Sequence, residues 1–322
     1  MKNTKHKKTI QNKDMSKGIA RADLLPFAAL FATVVFWGAS FAAIRVAVNI
    51  LHPQAVMFCR MAIACLIMLP FTKRLIPTWH RGDLKLLIPM VLLQPCLYFF
   101  FESNALQLTT SSQAGVISAS VPVLVALGAW LFLSEKISGK IISGLFISVA
   151  GVIILTLCGK STIPGDNPLL GNSLEFFAMA CAAGNMILVK QLSLRYNPWT
   201  LTGLQFLAGL IFFSPGIRHI LAAPQVMLRP DLLTALVLLG AFASVGAFGM
   251  YNWSISRVPA TKASVFINLV PVVAVFLGWT LLGESLTPGQ ITGAAFVGMG
   301  VLISQKPGNN RIWARPRPGV IN

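Results

Sequence analysis

The sequence predicts an all-α integral membrane protein in which ten transmembrane helices form two inverted five-helix repeats. Three observations support this fold class: long uncharged segments, a long internal repeat and an uneven distribution of basic residues. Hydrophobic residues make up 55% of the chain and charged residues only 11%. A soluble protein of 322 residues needs more charge than this to cover its surface.

Uncharged segments of membrane-spanning length recur along the chain, each near or above the roughly 20 residues that a helix needs to cross the bilayer core. Only helices satisfy every backbone donor and acceptor in such continuous apolar segments, which also disfavour a β-barrel. The uncharged segments are 24–44, 103–134, 141–159, 196–217, 232–256, 263–283 and 285–305, and shorter or singly charged segments near 53–72, 85–102 and 168–189 bring the count to ten.

The internal repeat aligns residues 114–154 with residues 263–303 without a gap. Because each half holds five helices, an odd number, the second half must enter the membrane in the opposite orientation. This places Glu135 near the inner face of the membrane and Glu284 near the outer face. The matched pairs include Pro122 and Pro271, Trp130 and Trp279, Glu135 and Glu284, Gly144 and Gly293, and Gly151 and Gly300.

The net charge of +17 lies mainly in the inner loops and the two termini. This asymmetry follows the positive-inside rule and predicts a multi-pass protein of the cell inner membrane with both termini in the cytoplasm. Contact with anionic lipid headgroups explains the basic tails without a nucleic-acid partner. The exceptions are Arg45, Lys160, Arg218 and Arg229 in outer connections and Arg60 within a helix.

We expect five parts along the chain. Turn-forming Pro and Gly mark the polar linker between the halves, and the Pro-rich basic C-terminal tail is expected to be disordered. The parts are a cytoplasmic basic tail (1–22), a first repeat (23–159), a linker loop (160–167), a second repeat (168–304) and a second cytoplasmic basic tail (305–322).

Several short motifs resemble, in order, those of the EamA-type drug/metabolite transporter family. The resemblance covers roughly residues 24–304; each motif alone is weak, whereas the duplicated arrangement is specific. The motifs are FWGASF at 36–41, His52-Pro53 before a helix carrying Arg60, NALQ at 104–107, TSS at 110–112 before the helix with Pro122, LSE at 133–135 and LGE at 282–284.

The resemblance implies ten helices in two EamA repeats and a secondary carrier, usually an exporter of amino acids, related metabolites or toxic small molecules through a central cavity. It does not name one substrate. The second half departs from the pattern, because it has no tryptophan that matches Trp37 and has Gln205 at the position of Arg60. The two halves should therefore contribute unequally to a site.

Two ionisable residues within the predicted helices are candidates for function, since such groups are costly in a membrane. Arg60 could attract an anionic group of a substrate, or it could play a structural role by pairing with helix-end carbonyls. Glu102 follows four aromatic residues, and desolvation there would disfavour its charged form and suit proton coupling. Alternatively, Glu102 lies at a solvated helix end.

A set of residues with polar tips is predicted to line a substrate pathway. Trp37 and Ser40 share one face of the first helix, and Gln94, Tyr98 and Glu102 recur every four residues on the third. Aromatic faces with a few hydrogen-bonding groups suit a partly apolar solute such as an amino acid. In the second half the corresponding polar residues are Asn185, Tyr251, Asn252 and Asn268, any of which could instead bridge helices.

Prolines and glutamates at repeated positions have structural interpretations. Pro122 and Pro271 each interrupt the middle of an equivalent helix and could act as hinges or serve packing alone. Glu135 and Glu284 lie at helix ends beside the start of the next helix, where a carboxylate can cap free amides.

Other classes of function find less support in the sequence. The chain has no HExxH, GxSxG or DxD motif, so an enzyme is not predicted. Gly159-Lys160-Ser161 lacks the earlier glycine of a phosphate-binding loop, so ATP binding is not predicted. The five cysteines have no metal-ligand spacing, and neither a metal nor a cofactor is expected. The expected partners are the lipid bilayer and a small-molecule substrate, and a homodimer is left open. A channel and a non-transporting interaction protein remain the alternatives.

Overall fold

The computed structural model of the protein describes residues 2–71, 82–133, 139–158, 167–257, 267 and 269–305. For residues 2–24 it describes the backbone alone. Every regular element in these ranges is helical. The helices are α1 (Lys2–Val48), α2 (Pro53–Met68), α3 (Leu84–Val91), α4 (Tyr98–Leu108), α5 (Ser111–Ser118), α6 (Val121–Leu133), α7 (Gly139–Leu157), α8 (Pro168–Leu192), α9 (Pro198–Phe212), α10 (Ile217–Ala222), α11 (Pro230–Val237), α12 (Gly249–Ile255), α13 (Val270–Leu282) and α14 (Pro288–Gln305). Wider π-helical turns join α3 to α4 at Leu92–Leu97 and α11 to α12 at Leu238–Phe248.

Six helical segments of the described chain are long and apolar enough to cross a membrane, or seven if one bent pair counts as a span. Two further apolar helices, Ile142–Leu155 and Val270–Leu282, are shorter. The all-helical membrane fold is thus confirmed, whereas the count of ten spans stays a prediction. The six spans are Leu25–Val48, Pro53–Phe71, Leu84–Leu108, Ser111–Gly128, Pro168–Leu192 and Pro230–Ile255, and the bent pair joins Pro198–Phe212 to Ser214–Ala222.

Several helices begin with a polar cap followed by proline. The Asn167 side chain accepts a hydrogen bond from the Leu170 N–H at 3.1 Å, and Pro168 takes the first helical position. Asn197 and Pro198 start α9 in the same way. Proline is favoured at this position because its missing N–H would have no helical partner there.

The equivalent helices α7 and α14 pack against each other in antiparallel orientation. A Cβ atom on Gly151 would lie 2.7 Å from the Gly293 carbonyl oxygen, and one on Gly300 would lie 2.5 Å from the Gly144 carbonyl oxygen. Because the repeat matches Gly144 with Gly293 and Gly151 with Gly300, exchanging the two halves turns one contact into the other. This approximate two-fold relationship confirms the inverted arrangement of these helices.

The long predicted helices are interrupted, but not at the expected residues. A turn at Ala119 and Ser120 separates α5 from α6, so Pro122 lies in the first turn of α6 rather than in mid-helix. Pro271 likewise lies in the first turn of α13. At these positions proline costs no helical hydrogen bond. The breaks precede the prolines.

The third predicted helix is also broken. Gln94 has φ −146° and ψ 121°, outside the helical region, and is followed by Pro95. Steric conflict with the proline ring disfavours helical dihedral angles in the preceding residue. Gln94 therefore does not continue a helical stripe with Tyr98 and Glu102, although all three side chains lie on the same cavity. Glu135, Asn268, residues 160–166 of the linker and residues 306–322 of the C-terminal tail are outside the described residues.

Candidate substrate cavity

A buried cavity lies where α1, α2, α4 and α8 meet, with further walls from the α5–α6 break and the start of α13. Its volume is about 40 Å³, which is room for a few water molecules. Five predicted pathway residues line it, as does Arg60. The lining residues are Trp37, Ser40, Phe41, Arg60, Gln94, Tyr98, Glu102, Ser118, Val121, Met179, Ala182, Met186, Phe248, Ile267 and Val270.

Aromatic side chains form one wall of the cavity. The Trp37 ring lies 5.2 Å from the ring of Phe248 and 5.0 Å from that of Tyr251, measured between centroids. Ser40, one turn after Trp37, donates its hydroxyl hydrogen bond to the Trp37 carbonyl at 2.7 Å. The wall thus joins the FWGASF segment of the first half to the second half.

Arg60 is 1% exposed and is held by three different contacts. Its Nε donates to Ser244 Oγ at 2.8 Å, and its guanidinium lies 4.0 Å from the centre of the Phe99 ring. Its Nη1 lies 3.8 Å from Glu102 Oε2, an ion pair too long to be a hydrogen bond. Arg60 therefore bridges the two halves and also presents a charge to the cavity.

Glu102 is buried within α4, so the alternative of a solvated helix end does not describe this structure. The Tyr98 hydroxyl, one turn earlier, donates a hydrogen bond to Glu102 Oε1 at 2.5 Å. The other carboxyl oxygen faces Arg60 at the longer distance. The aromatic cluster before Glu102 thus supplies one of its two partners.

Three buried polar atoms at this cavity have no hydrogen-bond partner among the described residues: Trp37 Nε1, Arg60 Nη1 and Glu102 Oε2. Buried polar atoms are nearly always hydrogen-bonded, so each exception calls for an explanation. Together they provide one neutral donor, one cationic donor and one carboxylate acceptor around a single space.

A second group of polar side chains ties the π-helical turn to the second half. Asn185 Nδ2 donates to Gln94 Oε1 at 2.7 Å. Gln205 Nε2 donates to Asn185 Oδ1 and to the Gln94 backbone carbonyl, each at 3.0 Å. Gln205, the counterpart of Arg60, thus satisfies the irregular backbone at Gln94.

Two other predicted pathway residues of the second half, Tyr251 and Asn252, are not part of the cavity lining. Asn252 is buried and donates to Thr202 Oγ1 at 2.8 Å, which joins α12 to α9. Tyr251 reaches the cavity only through its contact with the Trp37 ring.

Glu175 is a buried carboxyl group that the sequence analysis did not single out. It lies on α8 with 0% exposure, and neither of its oxygens has a hydrogen-bond partner among the described residues. The signal was present in the sequence, because Glu175 is a lone acid within an apolar segment, the same criterion that selected Arg60.

Contacts between the two halves lie at both ends of the bundle. At one end, here the Glu284 end, the Glu284 carboxylate accepts hydrogen bonds from the N–H groups of Ser111 and Ser112, each at 2.9 Å. At the other, the Asp83 end, Asp83 accepts hydrogen bonds from Arg195 at 2.8 Å and from the Tyr196 hydroxyl at 2.9 Å. Glu284 thus caps a helix of the first half rather than the helix that follows it in sequence.

These features define a multi-pass helical membrane protein with a polar cavity between two related halves. The EamA-like transporter family model matches residues 25–157 and again residues 169–305. The chain therefore belongs to the EamA-like transporter family, which confirms the resemblance found in the sequence.

Individual proteins agree with this assignment. An uncharacterized transporter of Archaeoglobus fulgidus is 29% identical over 276 residues, 84% of this chain and 95% of that protein. The uncharacterized transporter YcxC of Bacillus subtilis is 25% identical over 280 residues, 82% of this chain and 88% of that protein. A crystal structure with 16% sequence identity matches 88% of this chain and 97% of its own with a TM-score of 0.59, a likeness of fold.

Proposed function

We propose that the protein is a secondary active transporter that exports small organic metabolites, amino acids or related compounds, by alternating access. The three buried polar atoms without a hydrogen bond at the cavity carry this proposal. Two of them, Arg60 Nη1 and Glu102 Oε2, face each other at 3.8 Å. A carboxylate suits the donors of Arg60 and Trp37, and an ammonium group suits the acceptor of Glu102. An amino acid carries both groups, and its side chain would meet the aromatic wall.

Alternating access is supported by the contacts at the two ends of the bundle. The cavity of about 40 Å³ is too small for an amino acid, so binding requires one end to open. Opening at the Glu284 end while the Asp83 end stays closed, and the reverse, would expose the cavity to one side at a time. In this scheme the repeats at 23–159 and 168–304 move against each other, and the helix breaks before Pro122 and Pro271 serve as hinges.

Coupling is assigned to Glu102. A substrate ammonium group and a proton would compete for the same carboxylate, so the protein would exchange one for the other across the membrane. With both termini in the cytoplasm of the inner membrane, a proton entering from outside would accompany export. Contacts between the halves at both ends favour this carrier mechanism over a channel.

A ligand-stabilisation screen of the purified protein tests the substrate class, because a ligand that binds only the folded state raises the melting temperature. Amino acids, nucleosides and cationic drugs form the test set. We expect apolar amino acids to stabilise the protein and Glu102→Gln to remove the effect. Asp231→Asn is the matched control, since Asp231 is exposed and pairs with Arg229 away from the cavity. Stabilisation by nucleosides or drugs alone would contradict the substrate class.

Transport in liposomes tests the coupling. Glu102→Gln should abolish uptake driven by a pH gradient while the protein remains folded and inserted. Transport with unchanged pH dependence in this variant would contradict the role of Glu102.

A further inference from the structure

Glu175 lies between the cavity and the closed Glu284 end of the bundle. It shares one face of α8 with Met179, Ala182 and Met186, which line the cavity one to three turns away. One turn in the other direction, Asn172 accepts a hydrogen bond from Thr109 at 2.7 Å and donates one to Gln113 at 3.0 Å. These bonds join α8 to the first half near the Ser111–Glu284 contact.

Among the described residues, no hydrogen-bond donor compensates a negative charge on Glu175. Glu102, a second carboxylate on the adjacent α4, is also buried and lines the cavity. Arg60 lies beyond Glu102 and already pairs with it. An unpaired carboxylate buried in this way costs several kcal/mol, about what is estimated for isolated buried ions, so burial favours the protonated form of Glu175.

The other helices packed against α8 do not change this balance. α4 presents Tyr98 as well as Glu102, and the Tyr98 hydroxyl is already donated to Glu102. On the remaining described neighbours, the charged residues Lys85 of α3 and Lys140 of α7 lie at helix starts, far along the sequence from the middle of each span. On α8 itself, Lys190 lies in the last turn and donates to the Ile255 carbonyl.

We propose that Glu175 is a second proton-binding site of the transporter, which exchanges its proton with water when the Glu284 end opens. Opening separates the contacts around Asn172 and Ser111 and hydrates α8 one turn from Glu175. Water then takes the proton from the carboxyl oxygen and leaves a hydrated carboxylate, and closing requires the proton to return. This inference rests on the proposed transport cycle and adds a proton site to it.

Infrared spectroscopy of the protein in lipid nanodiscs tests the proposal without a known substrate. Wild type should show the C=O band of a protonated carboxylic acid near neutral pH. Glu175→Gln should remove the Glu175 component of this band, while Glu102→Gln and the control Asp231→Asn should keep that component. Transfer to D₂O should shift the band within minutes, because the site opens during the cycle. Glu284→Ala, which removes the closing contact, should shift it at least several times faster.

The outcomes separate a proton-exchanging site from a sealed structural acid. A band that is missing in wild type, or that disappears in Glu102→Gln instead, overturns the assignment to Glu175. A band that does not shift in D₂O over hours overturns the exchange. If Glu175→Gln does not fold, Glu175→Asp and ¹³C-glutamate labelling of wild type assign the band in its place. Failure of the proposed transport function would show in the liposome assay, whereas the presence of the C=O band and its assignment to Glu175 do not depend on transport, so the two results are distinguishable.

Discussion

The carboxylate of Glu284 in the second half accepts hydrogen bonds from both the N–H and the hydroxyl of Ser112 in the first, at 2.9 and 2.7 Å. Ser111 contributes the same two donors, at 2.9 and 2.8 Å. Gly283 makes the geometry accessible, because its φ of 66° ends α13 in a left-handed turn that brings Glu284 back toward α5. A negative charge at the N-terminus of α5 is also favoured by the helix dipole.

Replacing Glu284 with alanine should loosen this end of the bundle. Removal of charge-assisted hydrogen bonds costs about 1–3 kcal/mol, and the amides of Ser111 and Ser112 lose their acceptor. Hydrogen exchange of the peptide that contains them should become faster. Ser285→Ala, at an exposed neighbouring side chain, is the control. Unchanged exchange in Glu284→Ala would show that the contact does not hold this end closed.

Removing Arg60 alone should destabilise the protein more than removing Arg60 and Glu102 together. Arg60→Gln leaves the buried Glu102 without its cation, a loss of about 3–5 kcal/mol for a broken buried pair. The double variant Arg60→Gln/Glu102→Gln leaves no unpaired charge, so thermal unfolding should show partial recovery. If the stability loss of the double variant equals the sum of the losses in Arg60→Gln and Glu102→Gln, the pair at 3.8 Å is not coupled.

The contact between α7 and α14 predicts opposite effects for two glycines on one helix. A Cβ on Gly293 would lie 2.6 Å from the Leu155 amide nitrogen and 2.8 Å from the Gly151 carbonyl oxygen, so Gly293→Ala must separate the helices. We expect it to lower stability by about 1–3 kcal/mol, as overpacking does. Gly298 has no neighbouring atom within 4 Å of such a Cβ, and Gly298→Ala should be neutral or stabilising through helix propensity. Equal melting temperatures for the two variants would contradict the close antiparallel contact.

His52, in the connection between α1 and α2, should make stability depend on pH. Its ring stacks on His219 with centroids 3.9 Å apart, and its side chain accepts a hydrogen bond from the Gln54 N–H. Burial lowers the pKa of His52 below its ordinary value of 6.5, and the neighbouring His219 and Arg218 lower it further. Because the folded state prefers neutral His52, this contribution is present above pH 6.5 and is lost as the pH falls through the lowered pKa.

The melting temperature of wild type should therefore decrease modestly between neutral and mildly acidic pH. His52→Asn keeps a side chain that can cap α2 but removes the titrating ring, so its decrease should be smaller. The same decrease in both proteins would assign the effect to other groups.

The all-helical membrane fold was predictable because membrane spans and internal repeats can be recognised from local sequence patterns. Uncharged segments predicted the helices. The match of Gly144 with Gly293 and of Gly151 with Gly300 indicated the duplication that the α7–α14 contact confirms. The cavity residues of the first half were predicted from local sequence as well, because a polar group such as Glu102 is conspicuous in an apolar segment.

The remaining features depend on which segments meet in space. The cap of Glu284 on Ser111 joins positions far apart in sequence, so only the nearest helix start could be expected from the chain. The break at Gln94 arises from Pro95, although an uninterrupted four-residue spacing suggested a continuous stripe. Glu175 carried a sequence signal, but its importance became visible only when α8 placed it between the cavity and the Asn172 contacts.

The most direct test of the account asks whether the cavity opens to both sides of the membrane. Ser40→Cys, in a chain whose five native cysteines are replaced by alanine, places one reactive thiol on the cavity wall. A membrane-impermeant maleimide is then added to right-side-out and to inside-out vesicles. Alternating access predicts labelling from both sides, and labelling from only one side or from neither would contradict it.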